Sequence, residues 1–281
     1  MSFLQALLTN PLLLYAVLAG LLASVASGII GSYVVVKRIV FISGGISHSV
    51  LGGIGLALWL ERVHGAAWAT PLMGALAAAI FSALAIGWIH LNWREREDTA
   101  IAALWSIGMA AGILFISQTP GFNVELTNFL VGNILWVSPQ DLWVLFLLDL
   151  AIVLTAASQH KKFLALCFDE DQAKLQGVAV APLYLLLLVL TALTIVLLIQ
   201  VVGIVLVMTM LTIPAAIANL FTIRLSRMML LGIVFAAAFT FFGTAFAYTL
   251  DWPGGATIAL LAGACYAGSL FLGRRRKLVS H

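Results

Sequence analysis

Residues 41 to 57 read FISGGISHSVLGGIGLA, where five glycines and three serines surround one histidine, His48, in otherwise apolar sequence. Small residues let neighbouring membrane helices approach closely, and an ionisable group at membrane depth is costly unless it faces a partner, a cavity or a pathway. The stretch therefore predicts a membrane helix that packs closely through Gly44, Gly45, Ser47, Gly52 and Gly53, with His48 facing a partner, a cavity or a pathway. Residues alone leave two roles open for His48, a hydrogen bond to a neighbouring helix or a ligand to an ion.

Composition sets the class. Hydrophobic residues make up 63% of the 281 and charged residues 9%, far below the roughly 25% charge of a soluble domain. With a mean hydropathy of +1.13, this is an integral membrane protein of the all-α class. A net charge of +3 would hint at nucleic acid in a soluble chain, but here the basic residues flank apolar segments as topology signals do, and no nucleic-acid partner is expected. Cys167 and Cys265 lack CxxC spacing, so they read as small apolar fillers rather than a disulfide or thiolate site. The N-terminal MSFLQALLTNPLLL has neither the basic start nor the small-residue cleavage site of a signal peptide.

Outward from the opening stretch, apolar spans are predicted at residues 11–36, 41–60, 68–93, 99–117, 140–158, 228–249 and 256–272. Between Pro182 and Ile223 lie 42 residues without formal charge, about twice what one crossing of roughly 20 residues needs. That block predicts two helices with a tight reversal near Gln200 to Gly203, and Pro214 predicts a kink in the second. The total is about nine transmembrane helices, or eight. Residues 118–139 are punctuated by Pro120, Gly121 and Pro139 and read as a loop with a short interfacial or re-entrant helix.

Nine spans put the termini on opposite sides. With the N-terminus outside, the inner loops hold thirteen of the fourteen Lys and Arg residues and only Arg62 stays outside. The predicted arrangement is a multi-pass membrane protein, N-terminus out and C-terminus in the cytoplasm.

The longest inner connection is 158–177, SQHKKFLALCFDEDQAKLQG. Asp169 can cap a short helix, Glu170 and Asp171 suit its positive end, Gln172 completes a capping-box-like spacing, Lys174 suits the other end and Gly177 is a ready stop. A two-turn helix is too short to be stable alone in water, where about 12 residues are needed. It is expected to rest on something.

Five segments in order are recognisable together: GSYVVVKRIVFISGGISHSVLGGIGLA, EDTAIAALWSIGMAAGILF, LTNFLVGNILWVSPQDLW, DEDQAKLQG and VVGIVLVMTMLTIPAAIANL. Over about residues 11 to 272 the chain resembles the permease subunit of the ATP-binding-cassette importers for zinc, manganese or iron, a type II importer fold. The resemblance implies a single permease domain that works as a homodimer, two cytoplasmic ATPase subunits that bind the ATP, and an external metal-binding protein that delivers a divalent ion. No cofactor is implied for the chain itself, and no catalytic residue. Residues 169–177 become the coupling helix, with Asp169, Glu170, Asp171, Lys174 and Gly177 at the ATPase contact.

Similar proteins carry an acidic residue four positions before the histidine, one helical turn away, where carboxylate and imidazole share a face. Here that position is Gly44, so the carry-over of a metal ligand rests on His48. Asp149, at membrane depth in the fifth span, is either a compensating ligand or a buried acid, protonated or hydrogen-bonded. Met208 and Met210 could offer thioethers but read as space-fillers. Two other classes fit less well. A secondary carrier predicts inverted repeats and paired intramembrane charges, which are not evident, and a membrane enzyme needs a nucleophile with a base or an HExxH, which is missing. A permease for a metal chelate is the nearer alternative.

Overall fold

The computed structural model describes residues 3–93, 97–121 and 138–279, and the described residues form helices joined by short turns, with no strand. In chain order these are α1 (Phe3–Thr9), α2 (Pro11–Lys37), α3 (Val40–His64), α4 (Pro71–Asn92), α5 (Glu97–Ser117), α6 (Pro139–Ser158), α7 (His160–Phe168), α8 (Glu170–Leu175), α9 (Val180–Val202), α10 (Ile204–Phe221), α11 (Leu225–Leu250) and α12 (Gly254–Val279). Boundaries follow local chemistry. Pro11, Pro71 and Pro139 each open a helix, where the missing N–H costs nothing, and Thr70 accepts from the Met73 N–H as a cap. Gly65, in the left-handed region at φ +68°, closes α3.

Every span expected from the sequence coincides with one of these helices, but the count of nine needs correction. Among the described residues seven helices are long and apolar enough to cross a membrane, and an eighth span appears if α6 and α7, bent at their junction, are taken together. The ninth, α10, falls among the shorter apolar helices. Its 18 residues rise about 27 Å at 1.5 Å per residue, just short of a hydrocarbon core of about 30 Å. It is short because Gly203, at φ +79° and ψ 164°, breaks the helix before it begins. The short helix expected within 118–139 and the mixed-charge run beginning at Arg94 fall largely on 122–137 and 94–96, outside the described residues.

The chain divides into two compact units. One contains α1, residues 11–35 of α2, most of α6, and α10 to α12. There α10, α11 and α12 pack on one another and α1 leans on α11, with Phe3 edge-on to Phe241 at 5.7 Å. Ser24 on α2 lies 3.4 Å from Thr240 on α11, and Gly28 of α2 is close enough to Ile233 that no Cβ would fit. The buried face of α2 is thus a ladder of small residues, as helix packing in lipid requires.

The other unit holds α3, α4, α5, α7, α8 and the first seventeen residues of α9. Helix α3 is its centre, packed against α5 and α4. A Cβ at Gly52 would come within 2.8 Å of the Gly108 carbonyl oxygen, and one at Gly53 would strike the carbonyl of Gly74. The glycines that dominate the 41–57 stretch therefore set how near the neighbouring backbones come. Ser49 and Ser82, both buried, share a hydrogen bond of 2.6 Å between α3 and α4.

Candidate functional site

The candidate residues fall into two groups, one along α3 and one at α7 and α8. On α3, His48 is half-buried, while Gly44, Gly45 and Ser47 on the preceding turn are buried. The Ser47 hydroxyl donates back to the Ser43 carbonyl at 2.7 Å, so it is spent within its own helix. Gly44 stands four residues before His48, one turn away on the same face.

The imidazole of His48 is stacked on the indole of Trp105 from α5, with centroids 4.1 Å apart and planes 8° from parallel. Trp105 in turn donates from Nε1 to the Met109 sulfur at 3.0 Å. One ring face of His48 is therefore covered and its plane fixed, while the stack uses neither ring nitrogen. Trp105 was not foreseen as part of the site. Its position in mid-span, away from the interfaces where tryptophan concentrates, is the signal that could have drawn attention to it.

An apolar recess of about 650 Å³ lies in the same unit between α3, α4 and α5, lined by Gly52, Leu56, Met73, Phe81 and Phe115 among others. His48 is not among its lining residues, which include no carboxylate or imidazole and are apolar apart from Ser49 and Ser82.

Asp149 and Pro214 belong to the other unit. Asp149 on α6 is 6% exposed, and its Oδ1 is buried without a hydrogen-bond partner. Pro214 is buried inside α10. Its missing N–H frees the carbonyl of Met210, and that carbonyl accepts from the Ser27 hydroxyl at 2.5 Å. Among the described residues no three His, Cys, Asp or Glu side chains converge as a metal-binding group would.

The predicted short helix forms as α8, and its ends are closed as its sequence specifies. Asp169 caps it, one carboxylate oxygen accepting from the N–H groups of Asp171 and Gln172, both at 3.0 Å. At the other end Gly177, φ +77°, donates to the Lys174 carbonyl and Val178 to the Ala173 carbonyl. Those two bonds together are the Schellman closure. Lys174 pairs with Asp171 at 3.2 Å on the exposed surface, and Ala173 is buried. Leu175 and Phe168 stand out at 90% and 67% exposure, a large apolar display for so short a segment.

What α8 rests on is α7, a helix over residues whose sequence reads as connecting chain. Phe163, Leu166 and Cys167 are its buried stripe, at the i, i+3, i+4 spacing of an amphipathic helix. Lys37, the last residue of α2, donates to Glu170 Oε1 at 2.5 Å and to the Leu166 carbonyl at 3.1 Å. In sequence Lys37 reads only as a topology charge, and nothing local marks the partner 133 residues away.

Comparison with known proteins agrees with this architecture. The family model described as the ABC 3 transport family matches residues 9–273. A Chlamydia trachomatis protein described as a probable metal transport system membrane protein is 51% identical over 94% of this chain and 90% of its own length. The manganese transport system membrane protein MntC of Halalkalibacterium halodurans is 33% identical over 99% of this chain and 93% of its own. Among solved structures, PsaBC from Streptococcus pneumoniae in complex with a Fab superimposes with a TM-score of 0.86 at 29% identity, covering 98% of each chain.

Proposed function

The chain belongs to the ABC 3 transport family as a multi-span permease subunit, and we propose that it forms the translocation pathway of an ATP-driven importer for a divalent transition metal ion, zinc, manganese or iron. The names of the relatives support a metal ion as cargo. Imidazole binds all three ions, so His48 does not choose among them.

The observation that carries this reading is α8. It is a six-residue helix stabilised at both ends, lying between longer apolar helices and carrying a fully displayed leucine. A helix of that length is marginal by itself and is held here by its cap, its glycine closure and α7, giving the fixed face that a motor subunit pushing on a membrane domain needs. In this reading the chain acts as one permease domain beside a second copy of itself. Two cytoplasmic ATPase subunits receive α8, bind ATP and perform the hydrolysis, and an external metal-binding protein hands over the ion. The N-terminus lies outside and the C-terminus in the cytoplasm, which requires α10 to cross despite its length. His48 offers a ring nitrogen to the passing ion, Asp149 is a second donor to be tested, and Gly44, Gly45, Ser47, Gly52, Gly53 and Pro214 shape the helices that flank the path.

Reconstitution in vesicles with the ATPase and the delivery protein tests the reading. Uptake of manganese, zinc or iron that requires ATP and the delivery protein is the expected result. Uptake by the chain alone would instead make it a secondary carrier.

A further inference from the structure

Lys37 reaches from the end of α2 to the corner between α7 and α8. Its ammonium holds both sides of that corner, the Leu166 carbonyl in the last turn of α7 and the Glu170 carboxylate at the first residue of α8. The Lys37 and Glu170 side chains are 15% and 28% exposed. In such partial seclusion a charge-assisted hydrogen bond is short and stronger than a neutral one. The Lys174–Asp171 pair is different: it is exposed, lies within α8 and contributes little.

The position of Lys37 in the chain gives the bond its consequence. Two residues follow it before the next helix: Arg38, in the left-handed region at φ +63°, and Ile39. They form the elbow from α2 into α3. His48 lies eight residues beyond Val40, the start of α3, about 12 Å along the axis at 1.5 Å per residue. A force on α8 thus meets the start of the His48 helix through one side chain and a two-residue elbow. At its other end α8 closes on Gly177 by backbone bonds of its own and passes through a short turn into α9.

We propose that Lys37 and Glu170 form a strap that transmits displacement of α8 to α3, making them positioning residues for the coupling of ATP hydrolysis to ion passage. The proposal rests on the reading of α8 as the ATPase contact. A chain of contacts is not by itself evidence of coupling, so the strap must be judged by a cycle of paired substitutions.

The variants are Lys37→Met, which keeps the stem and removes the charge, Glu170→Gln, which keeps the shape, the two combined, the exchange Lys37→Glu with Glu170→Lys, and Lys37→Arg. Each is reconstituted with the ATPase and the delivery protein, and manganese uptake, ATP hydrolysis and retention of the ATPase are read separately. Lys37→Met, at a residue outside the ATPase contact, is expected to retain the ATPase and hydrolyse ATP while ions moved per ATP fall about fivefold or more, and Glu170→Gln is expected to lower the same ratio in the complex that remains assembled. The combined variant should be no worse than either, Lys37→Arg should stay near the parent, and the exchange should recover part of the loss, since a carboxylate at position 37 restores the ion pair and not the bond to the Leu166 carbonyl. Undiminished ions per ATP in both single variants overturns the strap. So does strict additivity in the combined variant, or a loss of transport wholly explained by lost ATPase, which would reduce the pair to local support of α8. If Lys37→Met fails to insert, Glu170→Gln decides alone. Leu175→Asp separates the two levels: if it leaves ATPase retention untouched, the reading of α8 falls, whereas if it releases the ATPase and the Lys37 series changes nothing, the strap alone falls.

Discussion

Ser27 and Met210 are joined by a hydrogen bond of 2.5 Å from the serine hydroxyl to the methionine carbonyl, and Pro214 is the reason that carbonyl is available. A proline in a helix removes the N–H that would bind the carbonyl four residues earlier. In lipid no water can take its place, so another helix must. Ser27 does so from α2, deep in the packed face of its unit, where its own exposure is 1%. A freed carbonyl can line a transport path, but the Met210 carbonyl has a protein partner.

A cycle at this bond has a definite expectation. Ser27→Ala should lower stability by about 1–3 kcal/mol, the cost of leaving a buried acceptor without its donor. In a Pro214→Ala background the same change should cost much less, because the N–H restored at position 214 can satisfy Met210 within α10. Unfolding of the detergent-solubilised protein, followed by helical circular dichroism, measures both. Equal losses in the two backgrounds would mean that the hydroxyl contributes packing and not a hydrogen bond to the freed carbonyl.

That bond shows where the sequence stops being informative. Pro214 announces a freed carbonyl, but its partner lies 183 residues away, and no local pattern connects them. The punctuation of α8 was legible because Asp169, Lys174 and Gly177 act within two turns of one another. The helix beneath it was missed because His160, Lys161 and Lys162 at its start outweigh a stripe of only three buried residues. On α3 the glycines announced close packing before any partner was known. The stack of Trp105 on His48 needed α5 to be placed beside α3, and Lys37 gave only its charge. Span number was nearly legible: all nine apolar segments are helices, and only the length of α10 separates nine from eight.

The caps of α8 provide a second prediction. Asp169→Ala removes the acceptor of two N–H groups and should cost the short helix about 1 kcal/mol, enough to fray it. Gly177→Val should act more strongly, since a β-branched residue is strained at φ +77°. Binding of the ATPase by the two variants, measured by pull-down from mild detergent, is expected to weaken in that order. Insertion should be preserved, because both changes lie outside the long apolar helices. Wild-type ATPase binding by the combined variant would leave this segment a linker.

Whether α10 crosses can be read from its far end. Ile223, 97% exposed, sits in the turn before α11, next to Arg224. A single cysteine there, with Cys167 and Cys265 replaced by serine, should be protected from a membrane-impermeant maleimide added to intact cells and become reactive after lysis. Positions 2 and 280 should behave oppositely to each other, position 2 labelling from outside. Outside labelling at 223 would mean that α10 turns back within the membrane, and would place the basic pair Arg224 and Arg227 against the usual charge rule.

His48 is the last and most exacting case. Its ring face is occupied by Trp105, but stacking needs only a flat ring, whereas a metal needs a nitrogen lone pair. Trp105→Phe keeps a flat partner and should leave transport within about twofold, while Trp105→Leu frees the ring and should weaken uptake at limiting ion, loosening the geometry that holds the ligand. His48→Gln should insert normally and lose most uptake at low metal concentration, the loss shrinking as metal is raised. Gly44→Asp should then improve binding in the His48 background and not in the His48→Gln one, because it places a carboxylate one turn from the imidazole and depends on it as a second donor. The pH dependence has a fixed sign: imidazolium has no lone pair, so uptake falls as the medium becomes more acidic, and His48→Gln should flatten that dependence. Unchanged uptake by His48→Gln at limiting metal removes His48 from the path. Asp149→Asn then becomes decisive, since its Oδ1, buried without a hydrogen-bond partner, makes it the remaining carboxylate candidate: a loss of uptake would make Asp149 the ligand, and parent-like uptake would leave it a buried acid of α6.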